Sequence, residues 1–197
     1  NQRDPLPGAP MLALAEFEAA SEDGFRALIE AAFASALETG DAQNVLFAEN
    51  TAQTRDFWAL RELVSAGHKP EGAQVNHDVS VPVSQTPAFI ERASAAAERL
   101  CPGARIVAFG HMGDGNIHYT VMQPSGSAAS DFPAAQLPAA VYEVTAALNG
   151  SISAEHGIGA ARKADLVRYK DAAALDVMRS IKVALDPNNI MNPRAML

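Results

Sequence analysis

The stretch Phe109-Gly-His111-Met-Gly-Asp114-Gly115-Asn-Ile-His118 puts two histidines on either side of an Asp-Gly pair. Asp-Gly between alternating arms favours a two-residue type I′ turn, because both central residues need φ > 0. With Asp114-Gly115 as that turn, His111 falls opposite His118. Directly opposed side chains stand on one side of a sheet, with Cβ atoms roughly 5 Å apart. Two imidazoles so placed can hold one divalent metal. The other reading is a satisfied histidine pair in the surface or core. A second cluster follows in Ser151-Ile-Ser-Ala-Glu155-His156-Gly157-Ile-Gly159. An acid, an imidazole and close-approach glycines lie together there. Glu155 with the two histidines makes a His₂Glu set with open positions, as catalytic zinc and non-haem metals require. An imidazole is ordinarily poised at about pH 6.5, which makes His156 beside it a candidate general base. The competing reading is a helix start, with Ser153 capping and Glu155 in the first turn.

Other candidates are weaker. Arg61, in Trp58-Ala-Leu-Arg61-Glu62, is either a bidentate carboxylate clamp or a solvated helix residue. Gly157-Ile-Gly159 lacks the third glycine of a phosphate loop and follows no clear strand. His68 and His77 read as structural or exposed, and Cys101 as a small core residue. No Ser, His, Asp arrangement suggests acyl transfer.

The elements that must carry these residues follow from periodicity. Residues 1–10 hold Pro5, Pro7, Gly8 and Pro10 and read as a linker. Met11–Phe17 and Asn44–Ala48 read as short strands. Ser21–Glu38, capped by Ser21 and ended by Gly40, and Thr51–Ala66, stopped by Gly67, read as helices. Gln74–Val83 alternates, with Val75, His77, Val79, Val81 and Val83 on one face and Asn76, Asp78 and Ser80 on the other. Pro82 marks it as an edge or an end. Thr86–Leu100 is an amphipathic helix, and Arg105–His111 and Asn116–Met122 are strand arms. Helices follow at Ala134–Asn149 and Asp171–Leu185, the latter halted by Asp186-Pro187. The order implies an α+β fold: a mostly antiparallel sheet with helices packed on one face.

Composition sets outer bounds. With 48% hydrophobic residues among 197, the chain can bury a core. Fifteen Lys and Arg against 23 Asp and Glu leave a net charge of −8, which excludes an electrostatic nucleic-acid binder. One cysteine excludes an internal disulfide and a cysteine zinc ribbon. No apolar run reaches the roughly 20 residues of a membrane span. The polar, Pro-rich start is no signal peptide, so a reducing, cytoplasmic setting is expected.

Three ordered motifs extend the reading. Gly110-His-Met-Gly-Asp-Gly-Asn-Ile-His118, Ser151-Ile-Ser-Ala-Glu-His-Gly-Ile-Gly159 and Ala184-Leu-Asp-Pro-Asn-Asn-Ile-Met-Asn-Pro193 resemble the C-terminal domain of FAD-linked oxidases, within the vanillyl-alcohol-oxidase-like flavoproteins. The resemblance covers nearly all of residues 11–197 and implies a ferredoxin-like cap domain. It implies a flavoenzyme that oxidises a 2-hydroxy acid. His111, His118 and Glu155 match positions that bind a divalent metal, usually zinc. His156 matches the base, and Arg61 matches an arginine that holds the substrate carboxylate. Asn192 matches a residue close to the flavin. The pattern departs at three substrate-side positions, where relatives carry Lys for Asn76, Thr for Ser65 and Asn for Thr120. Without a cation at Asn76, a dicarboxylic substrate is less secure than a 2-hydroxy acid in general.

The resemblance also implies partners. FAD would sit mainly on a separate N-terminal domain, joined through residues 1–10, so this chain alone is expected to be colourless and inactive. Electron-transfer flavoprotein, a cytochrome or a quinone would accept the electrons, and a homodimer is compatible. Two other function classes use the same residues: a stand-alone metal-dependent hydrolase, and a non-catalytic binding or dimerisation module.

Overall fold

A strand is stable only where neighbours satisfy its N–H and C=O groups, so alternation alone does not make one. The computed structural model describes residues 5–21, 23–67 and 69–195, and not the side chains of Ser65 and Lys69. His68 and residues 1–4 of the expected linker lie outside the described residues. The chain forms two compact units, divided between Pro70 and Glu71.

The first unit carries α1 (Phe25–Thr39) and α2 (Thr51–Gly67). The strands expected at Met11–Phe17 and Asn44–Ala48 do not form; both segments are irregular. Their apolar residues pack onto a helix instead. Phe17 and Phe47 each meet Phe33 of α1 edge-on, with centroids 6.2 and 5.8 Å away. Ser21 does not cap α1 either. It accepts from the Asp23 N–H at 3.2 Å, and the helix begins after Gly24, which sits in the left-handed region. Gly40 ends α1 as expected. Asn50 caps α2, its side-chain oxygen accepting from Ala52 and Gln53 at 3.0 and 3.1 Å. Polar ties at the surface complete this unit, including Trp58 Nε1 to Glu16 and Arg26 to Glu49.

The second unit holds the hydrophobic core. Its elements are β1 (Gln74–Ser80), α3 (Thr86–Leu100), β2 (Arg105–Phe109), β3 (Asn116–Met122), α4 (Leu137–Ala147), α5 (Lys163–Tyr169) and α6 (Ala172–Leu185). The sheet order is β1-β3-β2, all neighbours antiparallel. Ser151 adds an antiparallel bridge to Ser80, on the other side of β1. This is the βαββα core of a ferredoxin-like fold, with a single bridge where a fourth strand would lie. The expected helix from Ala134 starts only at Leu137, and α5 was not foreseen, since its 7 residues are too few to show a helical period.

Strand period two divides the sheet into two chemistries. Val79, Ile117, Tyr119 and Val121 pack with Phe89 of α3 and Val141 and Tyr142 of α4. Phe89 meets the Tyr119 ring edge-on at 5.4 Å. Cys101 closes this core beyond α3, and burial pushes its thiol pKa up, as suits a packing residue. The other positions of the strands, among them Asn76, Asp78, Asn116, His118 and Thr120, face away from these helices.

His77 stands on the helix side, fully covered. Its Nδ1 lies 2.9 Å from the Tyr119 carbonyl, which can only accept, so Nδ1 carries the proton. Burial lowers its pKa from 6.5 to about 4, a lowering to which the Arg162 charge adds and which the Tyr119 hydrogen bond opposes. The folded state therefore binds fewer protons than the unfolded state between those values. Stability is fully present above pH 6.5 and is lost as pH falls toward 4, by about 3 kcal/mol from this residue. Urea titrations at several pH values should show this slope in the wild type and a shallower one in His77→Gln. Equal slopes would contradict the assignment.

Candidate functional site

Ladder pairing sets one row across the polar side of the sheet. Asp78 of β1 pairs with His118 of β3, which pairs with Phe109 of β2. Paired residues share a face, so all three side chains stand together. The Phe109 ring packs on the His118 ring at 5.0 Å.

The register corrects one expectation. Phe109, not His111, is opposite His118. Asp114-Gly115 does not form a two-residue turn. Met112–Asp114 is a turn of 3₁₀ helix, closed by Asp114 N–H to His111 O at 3.1 Å and Gly115 N–H to Met112 O at 3.2 Å. Gly115 takes φ 65°, and its carbonyl accepts from the Val81 N–H at 3.0 Å. A Cβ there would overlap the Val81 carbonyl oxygen, so the position needs glycine. The loop is thus anchored to the chain after β1, which lengthens it and takes His111 out of the ladder onto an exposed position.

The segment after α4 completes the site. The bridge to Ser80 leads it along β1, and the Ala154 N–H donates to the Asp78 carbonyl at 3.1 Å. Asp78, 1% exposed, then takes three successive amides on Oδ2: Ala154 at 3.2 Å, Glu155 at 2.8 Å and His156 at 2.8 Å. Burial alone would raise the Asp78 pKa. The amides of His156 and Glu155 and the two nearby imidazoles outweigh it, and the carboxylate is held below its ordinary range. The helix start considered for Ser153 and Glu155 does not form, for the segment is irregular to Arg162.

These anchors bring the second cluster to the row. Glu155 accepts a short hydrogen bond from Asn116 Nδ2, and its Oε2 lies 3.7 Å from His118 Nε2. His118 Nδ1 lies 3.6 Å from Asp78 Oδ1, and His156 Nδ1 lies 3.8 Å from Asp78 Oδ2. The two imidazoles stack at 5.6 Å. Exposure rises from the floor upward: the side chains of Asp78, His118, Glu155 and His156 are 1%, 16%, 48% and 63% exposed. Among the described residues, Asp78, His118 and His156 form one group whose donor atoms lie within 4.8 Å of one another. Imidazole and carboxylate donors at this spacing suit a divalent ion of the zinc class.

Asn76 lies two positions before Asp78 along β1 on the same side of the sheet, and Thr120 donates to its Oδ1 at 2.8 Å. Asn192 is exposed, with φ 47°, in a terminal segment tied down by Asp186, which accepts from the Ile190 and Met191 amides at 2.9 and 3.0 Å. Arg61 and Ser65 are on α2 of the first unit, and the Ser65 side chain is outside the described residues. Asp78 and Asn116 were not anticipated. The available signal was an aspartate inside a strand, a residue depleted there unless something holds it.

The family described as FAD linked oxidases, C-terminal domain, matches residues 1–196. The D-2-hydroxyglutarate dehydrogenase of Stutzerimonas stutzeri (strain A1501) is 34% identical over 186 residues, covering 93% of this chain and 40% of its own length. The mitochondrial D-2-hydroxyglutarate dehydrogenases of Arabidopsis thaliana and Bos taurus are 32% and 35% identical, over 93% and 82% of this chain. The chain spans 32% and 29% of those two proteins, and so less than half of each relative's length.

Proposed function

Because this chain belongs to the C-terminal domain family of FAD-linked oxidases, we propose that it is the substrate- and metal-binding part of an FAD-dependent dehydrogenase. The reaction is oxidation of a 2-hydroxy acid to the 2-oxo acid. One observation supports it most: the row Asp78–His118 and the segment Glu155–His156 converge into a mixed imidazole and carboxylate cluster. The relatives' names point to the same substrate class.

His118 and Glu155 would hold the metal, with His111 assigned to it by family resemblance. When bound, the metal would supply a Lewis acid that lowers the substrate hydroxyl pKa, and the flavin would supply the hydride acceptor. The chain's own residues do the rest. His156 is the most exposed member of the cluster, and its Nδ1 side is turned to Asp78. Its Nε2 is then the atom that receives the hydroxyl proton. Asn116 holds Glu155 in place through its amide. On the strength of the resemblance, Arg61 would hold the substrate carboxylate and Ser65 would be a substrate-side residue. Asn76, hydrogen bonded to Thr120, offers a distal carboxylate no positive charge, so the reading covers 2-hydroxy acids as a class.

The test is anaerobic mixing of the intact flavoprotein with monocarboxylic and dicarboxylic 2-hydroxy acids of both hands. Bleaching of the flavin by one of them is expected, and the pattern names the acid. An oxidised flavin that none of them bleaches would refute the proposal.

A further inference from the structure

Asp78 stands outside the expected ligand set, yet it contacts every part of the cluster. Its Oδ2 is occupied by the amides of Ala154, Glu155 and His156. Its Oδ1 is buried without a hydrogen-bond partner and lies 3.6 Å from His118 Nδ1. The same carboxylate lies 3.8 Å from His156 Nδ1. An ionised carboxylate only accepts hydrogen bonds. The ring nitrogen that faces it is therefore stabilised as N–H; Glu155 faces the other nitrogen of His118 at 3.7 Å, but at 48% exposure its charge is screened by solvent, whereas that of Asp78, at 1%, is not. In a neutral imidazole the other nitrogen then keeps its lone pair. Both separations exceed a hydrogen bond, but a charge this deeply buried acts strongly over such a distance.

We propose that Asp78 is the positioning residue that sets the tautomer of both histidines, protonating each at Nδ1 and leaving both Nε2 lone pairs for the chemistry. For His118 that lone pair is on the Glu155 side of the ring, where His118 and Glu155 together would hold a metal. For His156 it is the proton acceptor. Asp78 belongs to the group whose donor atoms lie within 4.8 Å of one another, and in this assignment it orients that group and does not ligate. One oxygen serves three amides, and the other faces the nitrogen of His118 opposite Glu155. The inference rests on reading His118 as ligand and His156 as base.

Asp78→Asn separates this role from anchoring the loop. The Asn oxygen can still accept the three amides, while its NH₂ then faces His118 Nδ1 and favours the wrong tautomer. Zinc affinity of the intact protein, measured by chelator competition, should fall about 10–100-fold. The melting temperature should hold, and kcat at saturating zinc should fall with little change in KM. Asp78→Ala should lose melting temperature as well. Zinc affinity of Asp78→Asn equal to wild type would overturn the inference and leave the metal reading intact. A wild type that binds no zinc would overturn both. Histidine ¹⁵N shifts of the wild-type protein provide a check that needs no variant. Protonation at Nδ1 of both rings is expected, and an Nε2–H form of either would overturn the inference.

Discussion

His156→Ala in the intact flavoprotein is expected to lower kcat by about 10²–10⁴-fold, the usual contribution of a general base, and to leave zinc bound. His118→Ala is expected to lose the zinc and turnover together. The contrast matters because His156 Nδ1 and His118 both lie close to Asp78, and distance alone would admit both as ligands. Exposure and direction separate them. The His118 side chain is 16% exposed, with Glu155 at its Nε2, whereas that of His156 is 63% exposed. Metal analysis of the two purified variants beside their kcat values checks the assignment. Loss of zinc from His156→Ala would make it a ligand and remove it as the base.

Phe89→Ala should be the most damaging single change to the fold. Phe89 is 0% exposed and packs edge-on against Tyr119, itself 0% exposed at the centre of β3. Emptying such a site costs about 3–5 kcal/mol, against a whole-domain stability of about 5–15 kcal/mol. The second unit should then melt well below the wild-type temperature, and zinc should be lost as it unfolds. Phe89→Leu keeps most of the volume and should be milder. Thermal melts of the two variants decide this. A Phe89→Ala midpoint within about 2 °C of wild type would place the core elsewhere.

The second unit was the more legible in sequence. Thr86–Leu100 carries its apolar residues at helical spacing and forms a helix over that same span, and the alternation from Gln74 forms β1. Those patterns are local, and burial against one partner suffices to fix them. Met11–Phe17 and Asn44–Ala48 misled because a short apolar run shows hydrophobic need, not what meets it. There the need is met by edge-on rings around Phe33.

At the site, the sequence marks the two Gly-rich clusters, and the structure brings His118, Glu155 and His156 together. The Asp-Gly signal gave the wrong register because a carbonyl after β1, not the hairpin itself, dictates the conformation of Gly115. Asp78 was invisible for a related reason. Its partners are the amides of residues 154–156, more than seventy positions away, and backbone amides have no sequence signature.

The row Asp78–His118–Phe109 also governs which genetic changes this site can survive. Side-chain direction in a strand depends on parity. Removing or adding one residue within β1 would exchange the occupants of the two faces, sending His77 outward and Asp78 into the apolar layer of Tyr119 and Tyr142. Point substitutions at Asn76 can retune what lies beside the cluster without disturbing that parity. Divergence of this region should therefore proceed by replacement inside the strands, with length variation confined to the loops between elements.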